Sequence, residues 1–332
     1  MTENTGKTVT ERLSRSEFWP PPRPRRADGR PRRTGIEIEF AGLSVPEAAG
    51  VVQRLWGGEA RADGPQRMEL RGTSIGEVEV LLDTALARHG GTPLADAALE
   101  LSRAVVPVEV VLPPLALSDL PESERLVRAL RAAGAEGTRE ALAYGFGVHL
   151  NPELPDEEAA TILPVIRAYA LLEDWLRSAD PIDPARSVLP FVDPYPRGFV
   201  DLLASEAQEW SINELAGAYL EHTPSRNRGL DALPLLEHLR PDMVRAALGA
   251  GAKGGRPTWH YRLPEARINE PGWSLAYEWN RWCIVERVAA RPVLLAKLAD
   301  AWQAHRASLV RLRSDWAVQV EAMLREARIW QP

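Results

Sequence analysis

The chain of 332 residues is poor in cysteine and in long apolar runs, and each shortage excludes a class of protein. Its single cysteine, Cys283, excludes an internal disulfide framework and a zinc site built from cysteines, so we expect it to pack inside a helix. No run of 18 apolar residues is present, and the first residues lack the layout of a signal peptide. With a net charge of −6, the chain also lacks the basic excess of a nucleic-acid-binding protein. These absences predict a cytoplasmic protein with no membrane partner and no nucleic-acid partner.

The hydrophobic content of 45% lets a chain of this length bury a large core, as one large domain or two moderate ones. Residues 1–33 are rich in proline and arginine and have no apolar periodicity. We therefore expect them to be an extended or disordered leader. The folded domain is expected over residues 34–290, and residues 291–332 are expected to form a C-terminal helix that packs on it.

The C-terminal segment has apolar residues at spacings of three and four, which is typical of one helix with a coiled-coil-like stripe. The stripe consists of Leu295, Leu298, Trp302, His305, Leu309, Leu312 and Trp316. Such a stripe usually packs on the preceding helix of the same chain. A homo-oligomer or a partner protein bound through this helix is the alternative. We expect His305 to be a buried member of the stripe and not a ligand.

Strand-like and helix-like segments alternate along the folded part. The predicted strands are 35–40, 66–71, 76–83, 105–112, 144–151 and 258–268, and the predicted helices before the C-terminal pair are 46–56, 93–104, 121–133, 155–178, 199–206, 211–220 and 231–247. The strand at 105–112 is expected to stop at Pro113 and Pro114. Because several strands have polar groups on one face, the pattern favours an α+β fold with a mostly antiparallel sheet. One face of this sheet would line a site, and helices would cover the other.

The segment 35–40 puts two carboxylates two residues apart in a strand that is otherwise apolar. Glu37 and Glu39 share one face because side chains i and i+2 of a strand point the same way. The two carboxylates repel each other, and a cation held by both would relieve the repulsion. Hard oxygen ligands favour Mg2+ or Mn2+. The alternative interpretation is the solvated outer face of an edge strand.

Three later strands repeat this arrangement, each with an isolated polar side chain among apolar residues. They contribute Glu109, His149 and Glu265, and such groups are costly to bury without a partner. We therefore take these three residues, with the pair on the first strand, as candidate metal ligands. Arg267, two residues after Glu265, is a candidate phosphate-binding cation.

Two further residues are candidate sources of positive charge for a phosphate group. Lys253 lies in the glycine-rich segment 249–255, which lacks the complete spacing of a P-loop. A mobile loop is the first interpretation of this segment, and a lid over a phosphate is the second. Arg262, in the predicted strand 258–268, is the other candidate.

Four short motifs occur in an order that resembles the amidoligase family, which belongs to the carboxylate–amine ligase superfamily of glutamine synthetase and glutamate–cysteine ligase. They are Gly-Ile-Glu-Ile-Glu-Phe at 35–40, Glu-Val-Val-Leu-Pro-Pro-Leu at 109–115, Gly-Val-His-Leu at 147–150 and Glu-Ala-Arg at 265–267. The resemblance runs over residues 34–290 and implies a glutamine-synthetase-like, curved antiparallel sheet whose concave face binds ATP and Mg2+. It further implies that an acyl phosphate forms on a carboxylate and that an amine displaces it.

The resemblance also implies roles for individual residues. The matches to the family's metal ligands are Glu37, Glu39, Glu109, His149 and Glu265, and Arg267 matches the arginine of the late Glu-x-Arg pair, with a nucleotide-binding and catalytic role. Asp83 resembles a substrate-side Asp-Gly-Ser-like element, although Ala85 stands where the family has serine. Arg226, followed by Asn227, resembles the family's Arg/Asn-containing helical segment.

The leading hypothesis is an ATP- and Mg2+-dependent ligase that joins a carboxylate to an amine on an amino acid, a peptide or a related small molecule. The arginine-rich leader and the C-terminal stripe motivate a second hypothesis, a catalytically inactive relative that acts as a binding or scaffold module. The third is a metal-dependent hydrolase that uses the same Glu/His cluster without ATP.

Overall fold

Alternating apolar residues along six strands build one antiparallel sheet. In this computed structural model the described residues are 6–64, 66–82, 106–138, 146–180, 192–252, 254–308 and 312–331. The strands are β1 (Arg33–Phe40), β2 (Glu59–Ala62), β3 (Arg67–Thr73), β4 (Gly76–Leu82), β5 (Val108–Ala116) and β6 (Val148–Pro152). Their order across the sheet is β2-β3-β4-β5-β1-β6, and every neighbouring pair is antiparallel. The predicted α+β fold with an antiparallel sheet is confirmed.

Ten α-helices complete the fold over the described residues. They are α1 (Val45–Trp56), α2 (Pro121–Ala132), α3 (Ala159–Ala179), α4 (Arg197–Ser205), α5 (Ile212–His222), α6 (Leu233–Leu239), α7 (Pro241–Leu248), α8 (Leu275–Ala289), α9 (Pro292–Ala307) and α10 (Arg313–Glu326). A capping box sets the start of α1, because the Ser44 hydroxyl accepts the Glu47 N–H and the Glu47 carboxylate accepts the Ser44 N–H. The predicted helix 93–104 lies outside the described residues.

The apolar face of the sheet forms part of the main core. Ile36, Ile38 and Phe40 of β1 are at most 1% exposed, and their partners on β5 and β6 are apolar and equally buried. Helix α1 contacts β3, β4 and β5. The side chains between these apolar residues consequently point to the opposite face, where the predicted polar groups lie.

Strand β5 runs through Pro113 and Pro114 to Ala116, so the predicted stop at these prolines is wrong. The pairing of β5 with β4 ends at Val111, and the pairing with β1 shifts register between Thr34 and Ile36. Proline cannot donate to a ladder, but it is tolerated at an unpaired edge or beside a bulge. Pairing with neighbouring strands therefore lets β5 continue through two prolines that, from the local sequence alone, predict the end of a strand.

The segment 258–268 is not a regular strand, which corrects the sequence-based prediction. It follows β6 through isolated antiparallel bridges, in which Tyr261 pairs with Leu150 and Glu265 pairs with Gly147. Between the bridges Pro264 has no N–H, and the Arg262 N–H donates to the Gly229 carbonyl instead of to β6. The segment is an interrupted neighbour of β6 that still lies beside the polar face.

Three predicted helices differ from the structure in extent. The helix predicted from residue 155 begins at Ala159. The helix predicted over 231–247 is divided into α6 and α7 at Arg240, which precedes Pro241 and has an extended φ of −141°. The C-terminal stripe is likewise divided between α9 and α10, so the single long helix is wrong. Trp302 and Trp316 still meet across the break, with ring centroids 5.2 Å apart.

The proline- and arginine-rich leader lies against the rest of the fold from residue 6 onward. Val9 and Leu13 are at most 5% exposed. The Arg32 guanidinium donates to both carboxylate oxygens of Glu286 on α8, at 2.8 and 2.7 Å. Residues 6–33 therefore differ from a disordered tail, because a buried ion pair and buried apolar side chains hold them. The division of the chain into leader, domain and C-terminal helix stays a prediction.

Two smaller expectations can also be compared with the structure. Cys283 is buried in α8, where its thiol faces the Trp19 carbonyl at 3.5 Å, as packing predicts. His305 lies beside the Trp302 and Trp316 rings but is only half-buried, so the expectation of a buried histidine is wrong. Among the described helices, none is long and apolar enough to cross a membrane.

Candidate functional site

The register of three strands brings four of the predicted ligands to one face of the sheet. Glu37 on β1 pairs with His149 on β6, and Glu39 on β1 pairs with Glu109 on β5. Directly paired residues of antiparallel strands point to the same side. The alternation that buries Ile38 in the core therefore turns all four polar side chains to the opposite face.

His149 lies between the two carboxylates of β1. Its Nδ1 is 2.7 Å from Oε2 of Glu37, and its Nε2 is 3.6 Å from Oε1 of Glu39. The second oxygen of Glu37 accepts a hydrogen bond from Nδ2 of Asn151 at 2.9 Å, and Oε2 of Glu39 accepts one from the Gly147 N–H at 2.6 Å. The Glu39 and His149 side chains are each only 8% exposed, so the alternative of a solvated edge face does not hold here.

The surroundings of Glu37 keep its carboxyl ionised. Burial by itself would raise the pKa of this group. The hydrogen bond and charge of His149 lower the pKa, and the charge of His260 and the hydrogen bond from Asn151 lower it further. Together they hold the Glu37 pKa well below its ordinary value. The group is therefore a carboxylate, the form that binds a cation.

Two sets of three side chains could each hold a metal ion among the described residues. One set is Glu39, Glu109 and His149, and the other is Glu37, His149 and His260. Within each set, one donor atom from every residue lies within 4.8 Å of the others. The first set offers two carboxylates and one imidazole, and the second offers one carboxylate and two imidazoles. The two sets share His149.

Sequence reasoning missed two residues of this cluster, Asn151 and His260. Asn151 is two residues after His149 on β6, so the same alternation that selected His149 could have selected it. His260 lies next to Tyr261, which bridges Leu150 of β6. Only the pairing of this late segment with β6 brings His260 near His149, with ring centroids 5.3 Å apart.

Glu265 lies beside the cluster but in neither donor set of the described residues. Its backbone bridges Gly147, whose N–H donates to Glu39, and its side chain is buried. Glu265 therefore lies near the carboxylates of β1, as the sequence predicts. Its role as a metal ligand stays a prediction.

The predicted arginines are held by other groups of the chain. Arg267 donates to the carboxylate of Asp180, just after α3, and its Nη1 is 3.6 Å from Oε2 of Glu270. Arg262 donates from Nη1 to the backbone carbonyl of Arg226. Their proposed contacts with nucleotide or substrate stay predictions.

The remaining residues of the predicted site are Arg226, Asp83 and Lys253. Nη2 of Arg226 is 3.7 Å from Oε2 of Glu237, which is buried on α6. Asp83 and Lys253 lie outside the described residues. The structure therefore brings together four of the predicted ligands and adds His260 and Asn151 to them.

Comparison with known proteins gives one match. The model of the family described as "Putative amidoligase enzyme" matches residues 30–284, which is well over half of the chain. No curated protein and no solved structure matches. The matched range contains Glu37, Glu39, Glu109 and His149, and it confirms the family that the four motifs indicated. The chain belongs to the amidoligase family.

Proposed function

We propose that the protein is an ATP-dependent ligase that uses Mg2+ or Mn2+ to join a carboxylate to an amine. Membership of the amidoligase family supports an amide ligase in general. The observation that carries the more specific proposal is the donor set of Glu39, Glu109 and His149, with one donor atom of each within 4.8 Å of the others. ATP-dependent phosphoryl transfer needs cations beside the phosphate oxygens, and this set could hold one.

The chemistry of these donors fits a hard or borderline divalent cation. Two of the three groups are carboxylates, which suit Mg2+ and Mn2+, and the imidazole makes Mn2+ the better fit of the two. Like charges on neighbouring strands destabilise a sheet when nothing offsets them. When bound, a divalent cation offsets the charge of phosphate oxygens during transfer. Glu39, Glu109 and His149 would hold it, and His149 would also contact Glu37 beside it.

The proposed reaction has two steps. A carboxylate oxygen of the substrate attacks the γ-phosphorus of ATP, the bond between that phosphorus and the bridging oxygen breaks, and ADP leaves. The amine nitrogen then attacks the acyl carbon, inorganic phosphate leaves, and the nitrogen loses a proton. The amide is formed at the expense of one ATP.

Further residues are proposed to contact the substrates. Arg267, Arg262 and Lys253 would supply positive charge to the phosphates, and Arg267 would also stabilise the transferred group. Asp83 and Arg226 would contact the carboxylate or amine substrate. The substrates are proposed to be amino acids, peptides or related small molecules.

The test measures ADP release from ATP and Mg2+ or Mn2+ with pools of amino acids and short peptides. Release should depend on a pool and should fall by about 100-fold in Glu39→Gln and Glu109→Gln, because each loses a charged ligand. Glu77→Gln is the matched control, since Glu77 is exposed on β4 and belongs to neither donor set. The proposal would be refuted if no pool gave ADP release and calorimetry detected no nucleotide binding.

Two other outcomes point to the alternative functions. Cleavage of amide or ester substrates without ATP would favour a metal-dependent hydrolase. The donor set of Glu37, His149 and His260 is the observation that keeps this alternative in view, because two imidazoles and one glutamate also form catalytic zinc sites. Intact biological activity in a folded Glu37→Ala/Glu39→Ala double variant would favour a binding module.

A further inference from the structure

We propose that His260 is a metal ligand and that, with Glu37 and His149, it forms a cation position selective for borderline transition-metal ions such as Zn2+ and Co2+. This position goes beyond the proposed Mg2+ or Mn2+ site of Glu39, Glu109 and His149, with which it shares only His149. Neither the motifs nor the family match selects His260. The inference comes from the geometry of two side chains on the polar sheet face and of His260 beside them.

The three side chains converge from β1, from β6 and from the irregular segment beside β6 that carries His260. One donor atom of Glu37, one of His149 and one of His260 all lie within 4.8 Å of one another. The two imidazole rings meet edge to face, with centroids 5.3 Å apart and an interplanar angle of 87°. A metal ion with ligands at about 2.0–2.2 Å needs donor atoms separated by roughly 3–4 Å, so small side-chain adjustments would close the set.

Backbone pairing on both sides positions His260. Tyr261 bridges Leu150 of β6 on one side and Leu230 on the other. The carbonyl of His260 accepts the Asp231 N–H at 2.9 Å. Hydrogen bonds to two neighbouring segments therefore fix the backbone that carries the imidazole. A fixed backbone favours a preorganised ligand.

The contacts of the His260 ring leave one nitrogen for a ligand. Nδ1 is 3.4 Å from Oδ2 of Asp231, which is fully buried and whose Oδ1 accepts the Leu233 N–H at the start of α6. Nε2 of His260 is buried and has no hydrogen-bond partner among the residues that the structure describes. A carboxylate on one ring nitrogen sets the tautomer and directs the other nitrogen to a metal.

The donor types decide which ion this position takes. Imidazole nitrogens suit zinc, copper, iron and nickel, whereas carboxylate oxygens suit magnesium, calcium and manganese. Glu37, His149 and His260 contribute two nitrogens and one oxygen, so Mg2+ would bind poorly here. When Nδ1 of His149 is the ligand, its Nε2–H faces Oε1 of Glu39 at 3.6 Å, and Glu39 becomes the carboxylate that orients this histidine.

Co2+ is the probe for the test because its visible absorption reports nitrogen ligands and a low coordination number. Metal-free full-length protein would be titrated with Co2+, and then with Zn2+ in competition, without ATP. We expect a visible band that Zn2+ removes. His260→Gln should weaken Co2+ and Zn2+ binding by about 100-fold, and Asp231→Asn by roughly 10–100-fold, with little change in Mg2+ binding.

His238→Gln is the matched control, since His238 is a half-exposed histidine on α6 that faces Glu157 and belongs to neither donor set. Its affinity for Co2+ should equal that of the unmodified protein. Far-UV circular dichroism of the metal-free variants would show whether they fold. If His260→Gln does not fold, Asp231→Asn still tests the proposed position. Equal Co2+ affinity with and without His260, or no Co2+ band, would overturn the inference.

This inference rests on the sheet face of the proposed function but is measured without turnover, so the two can fail separately. Co2+ binding that depends on His260, without ATP-dependent ADP release in any pool, would refute the ligase and retain the metal position. ADP release that depends on Glu39 and Glu109, with Co2+ binding unaffected by His260→Gln, would retain the ligase and refute the metal position.

Discussion

Asn151 contributes to the charge balance around Glu37, because its amide donates to one carboxylate oxygen while His149 faces the other. Asn151→Asp replaces this donor with a second negative charge at hydrogen-bond distance. We expect the free energy of unfolding of the metal-free protein to fall by about 1–3 kcal/mol, from the lost hydrogen bond and the added repulsion. Denaturant unfolding without divalent cations would measure this change.

A divalent cation should restore much of the stability lost in Asn151→Asp, because it binds the extra carboxylate only in the folded state. The increase in melting temperature with saturating Mn2+ should therefore be larger for this variant than for the unmodified protein. Asn151→Ala is the control, since it removes the donor without adding a charge. An equal increase in all three proteins would contradict a cation site beside Glu37.

Gly229 has no room for a side chain. A Cβ atom at this position would lie 2.3 Å from the Oη atom of Tyr169, which is fully buried. Gly229→Ala should therefore lower the free energy of unfolding by about 1–3 kcal/mol through overpacking. Because the Gly229 carbonyl accepts the Arg262 N–H, the change should also disturb the segment that carries His260.

The matched control for this variant is Gly217→Ala in α5, where the added Cβ has no atom within 4 Å apart from its chain neighbours and the backbone of its own helix. Alanine in a helix interior should raise stability by about 0.5–1 kcal/mol. Urea unfolding of both variants measures the two effects. Equal stabilities of the Gly229 and Gly217 variants would contradict the close approach of Tyr169.

At the scale of elements, His305 adds a titratable group to the contact between α9 and α10. Its ring lies 6.0 Å from the Trp302 ring and 5.7 Å from the Trp316 ring, measured between centroids. Burial lowers the pKa of His305, and the nearby cations Arg197 and Arg306 lower it further. Asp315 and Asp174 oppose this effect without reversing it.

The sign of the pH dependence follows from this lowered pKa. Between the folded-state pKa of His305 and its ordinary value near 6.5, the unfolded chain binds a proton that the folded chain does not. The contribution of His305 to stability is therefore unchanged above that window and decreases as the pH falls through it.

We expect His305→Gln to reduce the loss of stability between pH 7.5 and pH 5.5. Denaturant unfolding at several pH values, for the variant and the unmodified protein, would show the difference. The same loss in both proteins would show that His305 does not titrate with folding.

The pairing of elements also shows which parts of the fold a pattern can predict. The alternation in β1 identified both the strand and its polar face, because a strand's period of two is a local property. The break between α9 and α10 left the spacing of the stripe intact, so periodicity alone could not reveal it. The continuation of β5 through two prolines depended on which of its edges was paired, and pairing is a long-range property.

At the scale of the whole molecule, an N-terminal and a C-terminal segment meet beside helix α3. Glu321 of α10 accepts hydrogen bonds from Nε1 of Trp175 on α3 and from the N–H of Val9, at 2.7 and 2.8 Å. The indole of Trp316, which is fully buried, donates to the Leu171 carbonyl at 2.9 Å. The C-terminal helix is thus part of the packing that holds α3 and the leader together.

Removal of residues 309–332 should destabilise the entire protein and not only its end. Loss of the buried Trp316 side chain alone should cost about 3–5 kcal/mol, as for other large core residues. We expect the truncated chain to unfold in one transition at a clearly lower urea concentration. Trp316→Ala should reproduce most of this loss, and Val318→Ala, at a position 71% exposed, should reproduce little of it.

An unchanged unfolding midpoint after this truncation would instead indicate a separate C-terminal unit. A homo-oligomer or a partner protein bound through the C-terminal helix stays a prediction. Light scattering of the truncated and full-length chains would compare their oligomeric states.

The sequence by itself determined the local conformation of the strands and the face on which Glu37 and Glu39 lie, because alternation along a strand needs no distant contact. Four short motifs also indicated the family. Only the tertiary structure decided that His260 meets His149, that Asp180 holds Arg267, and that Arg32 anchors the leader to α8. These contacts join residues far apart in the chain, and register and burial, which no local pattern encodes, bring them together.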